Sequence, residues 1–131
     1  MAGRGAGRRS VEEWQPVCRM VELEVDRGVT ALVHGQAVAL FRTADDEVYA
    51  LVNHDPWARH AGSGIARWIV GHRGDVWFVG SPAHRHALDL RTGRCLDDRH
   101  VAVTTYPVRV IEGVVLVGRR SDAPAGRAPG R

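Results

Sequence analysis

Short apolar runs separated by polar turns fill the middle of the chain. From Gly28 to Val52 the order is VTALV at 29–33, a His34-Gly35 turn, QAVALFR at 36–42, the polar stretch TADDE at 43–47, and VYALV at 48–52. Runs of four to seven residues divided by such turns predict the strands of a β-meander, not helices. The pattern returns at Val76–Gly80 and at Arg85–Leu90, which leads into the turn Arg91-Thr92-Gly93-Arg94 with glycine where positive φ is needed. Val108–Ile111 and Val114–Val117 flank Glu112-Gly113, a two-residue hairpin signal, and Pro107 suits the start of a strand. Val17–Val25 fits a helical face and a strand alternation equally, and its length does not separate the two. Ile65–Gly74 reads as a long loop with a short extended piece. The expectation is an all-β antiparallel domain, a sandwich or barrel of about eight or more short strands, with elongated loops at Asn53–Gly64 and Gly80–Arg85. Loops held on a rigid sheet are where function concentrates.

Charge divides the chain. All 18 basic residues are arginine, and the net charge is +3. Residues 1–10 carry three arginines and no acid, and residues 119–131 carry four against Asp122. The remaining 11 arginines face 14 acids, so residues 11–118 carry a balance of −3. The Gly/Ala/Arg/Pro-rich ends are expected to be disordered tails flanking one domain at 11–118. A nucleic-acid module would carry positive charge on its body, so that class is set aside. No apolar run approaches the roughly 20 residues of a membrane span, and no secretory pattern opens the chain, which predicts a cytoplasmic domain.

Candidate chemistry is sparse. Cys18 and Cys95 form no C-x-x-C pair and read as small core hydrophobes, Cys95 half-buried. Ser81 lacks a G-x-S-x-G elbow, and neither a dinucleotide fingerprint nor a phosphate loop is present. Seven histidines raise the possibility of a metal. His84 and His86 share one face if they lie on a strand, and His54 or His60 in the first loop could complete a mononuclear site. Ordinary surface or hydrogen-bonded histidines are the rival reading. The four tryptophans read as core and loop anchors. Trp57 stands out, because it lies inside the first loop.

The loops carry a resemblance. The first reads N-H-D-P-W and the second S-P-A-H-R-H-A-L-D-L-R-T-G-R-C-L. This frame resembles the Rieske fold, whose two loops carry C-P-H and C-P-x-H followed by D-L-x-T-G. Asp55 and Ser81 stand at the cysteine positions, Trp57 at the first histidine position, and His84 alone remains of the four ligands. A cluster of that type needs two thiolates and two imidazoles, so the resemblance implies a chain with no iron–sulfur cluster.

Within that fold the chain is similar to the small subunit of assimilatory NAD(P)H-dependent nitrite reductase. The similarity runs through W-x-x-V-C at Trp14–Cys18, Gly28–Arg42, Val48–Pro56, I-V-G at Ile69–Gly71, Ser81–Leu96 and Tyr106–Val110. The Ala83–His86 run and the Gly-rich stretch after Trp57 depart from the family pattern. The resemblance implies nitrogen metabolism and nitrate assimilation. FAD, sirohaem, an iron–sulfur cluster and the reduction of nitrite to ammonium would lie on a large catalytic subunit. This chain would have no cofactor and no catalytic residue of its own; it would bind that partner through Trp57, His84, Arg85 and His86. The alternatives are a Rieske-type ferredoxin serving an oxygenase and the mononuclear histidine site.

Overall fold

The computed structural model describes residues 13–58, 64–82 and 86–119. The arginine-rich stretch at 1–10 and all of 119–131 except Arg119 lie outside them. Within the described residues the chain forms β1 (Gln15–Arg19), a 3₁₀ turn at Met20–Glu22, β2 (Val29–Val33), β3 (Gln36–Arg42), β4 (Val48–Val52) and β5 (Ile69–Arg73). It continues with β6 (Val76–Gly80), β7 (Ala87–Asp89), β8 (Thr105–Tyr106), β9 (Val108–Ile111) and β10 (Val114–Val117). They make three antiparallel sheets, ordered β1-β10-β9, β2-β3-β4-β8 and β5-β6-β7.

The expected meander is the four-stranded sheet. Val29 pairs with Leu40 across the β2–β3 hairpin, and Val38 pairs with Val52 between β3 and β4. The hairpin turns at His34-Gly35 and Glu112-Gly113 have positive φ at both positions, 48° and 80° in the first, 52° and 80° in the second. Such turns twist with the strands they join, and glycine takes the second position without steric cost.

Side chains alternate across a strand, and β3 uses both faces. Val38 and Leu40 join a core with Leu23, Val33, Val48, Ala50, Tyr106, Val115 and Val117. Ala39 and Phe41 join another with Leu51, Ile65, Trp68, Val70, Val79, Leu88, Leu90 and Cys95. The meander is therefore the middle layer, between the sheet of β1, β9 and β10 and the sheet of β5 to β7. A strand buried on both faces reads as a continuous apolar run, which is why AVALF does not alternate with polar residues.

Three elements differ from expectation. Ile65–Gly74 is not mainly loop: Ile69–Arg73 is a full strand paired with β6, with Val70 buried and Ile69 exposed. Gly71, His72 and Arg73 conceal that alternation in the sequence. Val17–Val25 splits into β1, the 3₁₀ turn and an isolated bridge from Val25 to Arg42, because the Glu22 carboxylate takes the Arg19 N–H at 2.7 Å and turns the chain. The strand expected at Arg85–Leu90 covers Ala87–Asp89; Arg85 lies outside the described residues.

Candidate functional site

The first loop leaves β4 and is fastened at once. The Asn53 carboxamide oxygen accepts the N–H of Ile65 at 2.7 Å and of Ala66 at 3.1 Å, tying the loop's start to its far end. At Gly64 a Cβ would run into the Asn53 side chain, so glycine there permits the clamp. Asp55 closes the next turn: its Oδ1 accepts the Trp57 N–H at 2.8 Å, and its carbonyl accepts the Ala58 N–H at 3.1 Å. Short acidic side chains bond the backbone two residues on in this way. The Asp55 carboxylate thus supports its own loop.

Trp57 is half-buried and packs against the core shared by the middle sheet and β5–β7. Its ring lies 4.2 Å from His86 at 15° and 6.3 Å from Trp68 at 23°. Stacked rings at this spacing contribute about 0.5–1.5 kcal/mol beyond the area they bury. This stack joins the first loop to the second. Ser81 is buried, and its N–H donates to the His86 carbonyl at 2.8 Å, closing the second loop at its base.

Beyond β7 the D-L-R-T-G turn is pinned from two sides. The Gly93 N–H donates to the Asp89 carbonyl at 2.7 Å, and the Val103 N–H donates to the Gly93 carbonyl at 2.8 Å. Gly93 has φ +78° and lies so close to the Val103 carbonyl that a Cβ would collide with it. The returning chain pairs antiparallel with β7, with Leu88 opposite Cys95. The ladder continues through the Leu96 N–H, which donates to the Ala87 carbonyl at 2.8 Å, and the Ala87 N–H then takes the Asp97 side chain, which brings Asp97, two residues beyond Cys95, to the His86 end of β7.

One ring nitrogen of His86, the Cys95 sulfur and a carboxylate oxygen of Asp97 all lie within 4.8 Å of one another. Among the described residues, this three-donor group joins His86 to Cys95 and Asp97, not to His54. His54 is exposed, and His60, His84 and Arg85 lie outside the described residues. Cys95 is buried, deeper than the half-burial expected of it. No sequence motif marks Asp97; it comes to His86 through the return of the chain beyond Thr92-Gly93, where Leu88 pairs with Cys95.

The four positions that the resemblance sets against the Rieske ligands hold a carboxylate, an indole, a hydroxyl and His84. An indole nitrogen has no lone pair for a metal, and a hydroxyl is a poor substitute for a thiolate. The two cysteines sit against different cores, Cys18 on β1 and Cys95 beyond β7. These residues do not fit a two-iron cluster of the Rieske type.

Comparison with known proteins supplies the family. The family description that matches, over residues 13–118, is the Rieske-like [2Fe-2S] domain. The nitrite reductase (NADH) small subunit of Salmonella typhimurium is 35% identical over 107 residues, covering 80% of this chain and 96% of its own. A crystal structure described as an NADH-dependent nitrite reductase small subunit from Mycobacterium tuberculosis is similar at TM-score 0.76 and 41% identity. It covers 82% of this chain and 96% of its own. The nitrite reductase [NAD(P)H] large subunit of Klebsiella oxytoca contains a segment 32% identical over 119 residues, which is 91% of this chain and 12% of that protein.

Proposed function

The chain belongs to the Rieske-like [2Fe-2S] domain family and, within it, to the nitrite reductase small subunits, and from that premise we propose that it is an accessory subunit without an iron–sulfur cluster, docked on the large subunit of an NAD(P)H-dependent nitrite reductase. The enzyme is an oxidoreductase. The reduction of nitrite to ammonium, with flavin, sirohaem and iron–sulfur cofactors, takes place on the large subunit.

The observation that carries this reading is the Klebsiella oxytoca large subunit, which holds a copy of this domain in its own polypeptide. A covalent tether supplies an effective concentration on the order of millimolar. A domain made as a separate chain has no tether and needs a docking surface. We place that surface on the two loops, at Trp57, His84, Arg85 and His86. Aromatic and arginine side chains are enriched at the centres of interfaces. Trp57 supports this placement: it is half-buried and stacked on His86.

The absence of a cluster rests on the donor set, since Asp55, Trp57 and Ser81 supply neither thiolate nor imidazole. Among the described residues no helix is long and apolar enough to cross a membrane. Two unpaired cysteines in separate cores suit a reducing compartment, so we assign the subunit to the cytoplasm.

Co-expression with the large subunit from the same genome tests the docking. The wild-type chain should co-purify with it, and the double variant Trp57→Ala/Arg85→Glu should fold but lose association. No association of the wild-type chains sinks the subunit role; a variant that binds as well as wild type sinks the interface. Iron and sulfide analysis of the purified chain tests the missing cluster. The expected protein is colourless, and a reddish-brown one with stoichiometric iron overturns the reading.

A further inference from the structure

We propose that His86, Cys95 and Asp97 form a binding site for one zinc ion. The site is distinct from the Rieske ligand positions and uses residues that the docking proposal, His86 apart, leaves unassigned.

The hairpin builds it. Leu88 pairs with Cys95, and the Ala87 N–H takes the Asp97 carboxylate, which brings Cys95 and Asp97 to the His86 end of β7. One imidazole, one thiol and one carboxylate therefore converge from the start of β7 and the segment returning beside it, with all three ligand atoms within 4.8 Å of one another. In a tetrahedral zinc site with ordinary bond lengths the ligand atoms lie about 3.4–3.6 Å apart. Side-chain rotations that draw the atoms in by about 1 Å reach that geometry.

The surroundings already orient the donors. The Asp97 N–H donates to the Cys95 sulfur at 3.4 Å, the kind of outer-shell bond that steadies a metal-bound thiolate. Trp57 stacks on His86 and fixes the plane of its ring. Asp97 Oδ2 accepts the Ala87 N–H at 3.2 Å, which holds the carboxylate against β7 while leaving lone pairs available. A set of one sulfur, one nitrogen and one oxygen donor suits zinc better than calcium or magnesium, which take oxygen. Binding converts the Cys95 thiol to the thiolate and releases its proton to solvent. Asp97, the exposed member, leaves the fourth position to water. Zinc has no redox chemistry, so this site would hold the second loop in place without making the chain an electron carrier.

Arg73 opposes the ion. Its guanidinium lies 3.6 Å from Asp97 Oδ1, and its charge disfavours a cation beside that carboxylate. Removing it should tighten binding, which a nonspecific histidine site would not show.

The test uses the full chain, reduced and stripped of metal, titrated with zinc and separately with cobalt as a spectroscopic stand-in. One zinc per chain should bind, and the cobalt form should show a thiolate-to-metal absorption band. His86→Ala and Cys95→Ala should each weaken zinc by more than about 100-fold, beyond the cost of losing an outer-shell partner. Asp97→Asn should weaken it by at least about 10-fold. Cys18→Ala and His54→Ala should bind as wild type, and Arg73→Ala should bind more tightly. If Cys95→Ala does not fold, His86→Ala and Asp97→Asn decide the matter from less buried positions. Failure of the wild-type chain to take up stoichiometric zinc overturns the proposal, as does binding that survives both His86→Ala and Asp97→Asn. These measurements need no large subunit, so their outcome and that of the docking experiment are independent.

Discussion

The two faces of β3 build unlike cores from adjacent residues. Val38 and Leu40 face an aliphatic core whose one buried aromatic is Tyr106, and short hairpins enclose it. Ala39 and Phe41 face an aromatic one, with Trp68 buried and Trp57, Trp77 and Tyr49 packed around it, and long loops cover it. The cysteines share the contrast. Cys18 lies at the edge of the aliphatic core, where burial and then the nearby Glu22 carboxylate push its thiol up and favour the protonated form. Cys95 lies in the aromatic core beside an imidazole and a carboxylate. Side chains that bond backbone fasten both faces, Gln15, Glu22 and Arg42 on the aliphatic side and Asn53, Asp55 and Asp97 on the aromatic side. On the aromatic side they close long loops, which have no ladder of their own. Chemistry gathers on the face that is harder to build.

Four substitutions would test that division. The largest effect is expected at Phe41, the fully buried ring at the centre of the aromatic face; Phe41→Ala should cost about 3–5 kcal/mol in urea unfolding. A loss below about 1 kcal/mol would show that the layers are not packed as described. Next comes Gly28, where a Cβ would meet Phe41 Cε1 at 2.6 Å and collide with the Ala66 carbonyl. Gly28→Ala should cost about 1–3 kcal/mol by overpacking, and a neutral result would mean that the two residues do not touch.

Asn53→Ala should cost a similar amount, about 1–3 kcal/mol, because it strips the partner from the Ile65 and Ala66 amides. Hydrogen exchange should quicken at those two amides and leave the β9–β10 hairpin unchanged. Uniform quickening across the chain would contradict the separation of the two faces.

The smallest effect involves Asp45, in the turn between β3 and β4. Its carboxylate accepts the Thr43 hydroxyl and, at 3.2 Å, the Trp77 indole N–H of β6, which links the middle sheet to the aromatic layer. The Thr43 bond first, and the Trp77 bond after it, hold its pKa below the ordinary aspartate value. The resulting stability is complete above the unfolded pKa, about 3.9, and is lost as pH falls through the lower folded value. Asp45→Asn should remove that part of the acid slope and lower stability slightly at neutral pH, because the amide is uncharged and its one oxygen can accept only one of the two bonds. An unaltered slope would show that Asp45 does not bridge the layers.

Much of the architecture was legible in the sequence. VTALV, QAVALFR, VYALV, VWFVG and the two terminal runs all lie on strands with the expected limits, because each is bounded by turn residues whose backbone preference is local. What was not legible depends on tertiary partners. β5 owes its existence to pairing with β6 and to the burial of Val70, and neither is encoded in IVGHR. At the site, the frame of Asp55, Trp57 and Ser81 could be read as a spacing. The meeting of His86 with Cys95 and Asp97 could not, since it follows from a hairpin register that a short, irregular turn sets.

The pairing of β1 with β10 has a consequence for how the domain can be wired. Gln15 lies opposite Val117, so the chain enters and leaves on adjacent strands, with Cα atoms about 5 Å apart. Joining those points with a short linker and opening the chain at the Glu112-Gly113 tip should give a circular permutant that still folds. The same adjacency lets the domain be spliced into a longer polypeptide as a side module, with the host chain's path almost undisturbed.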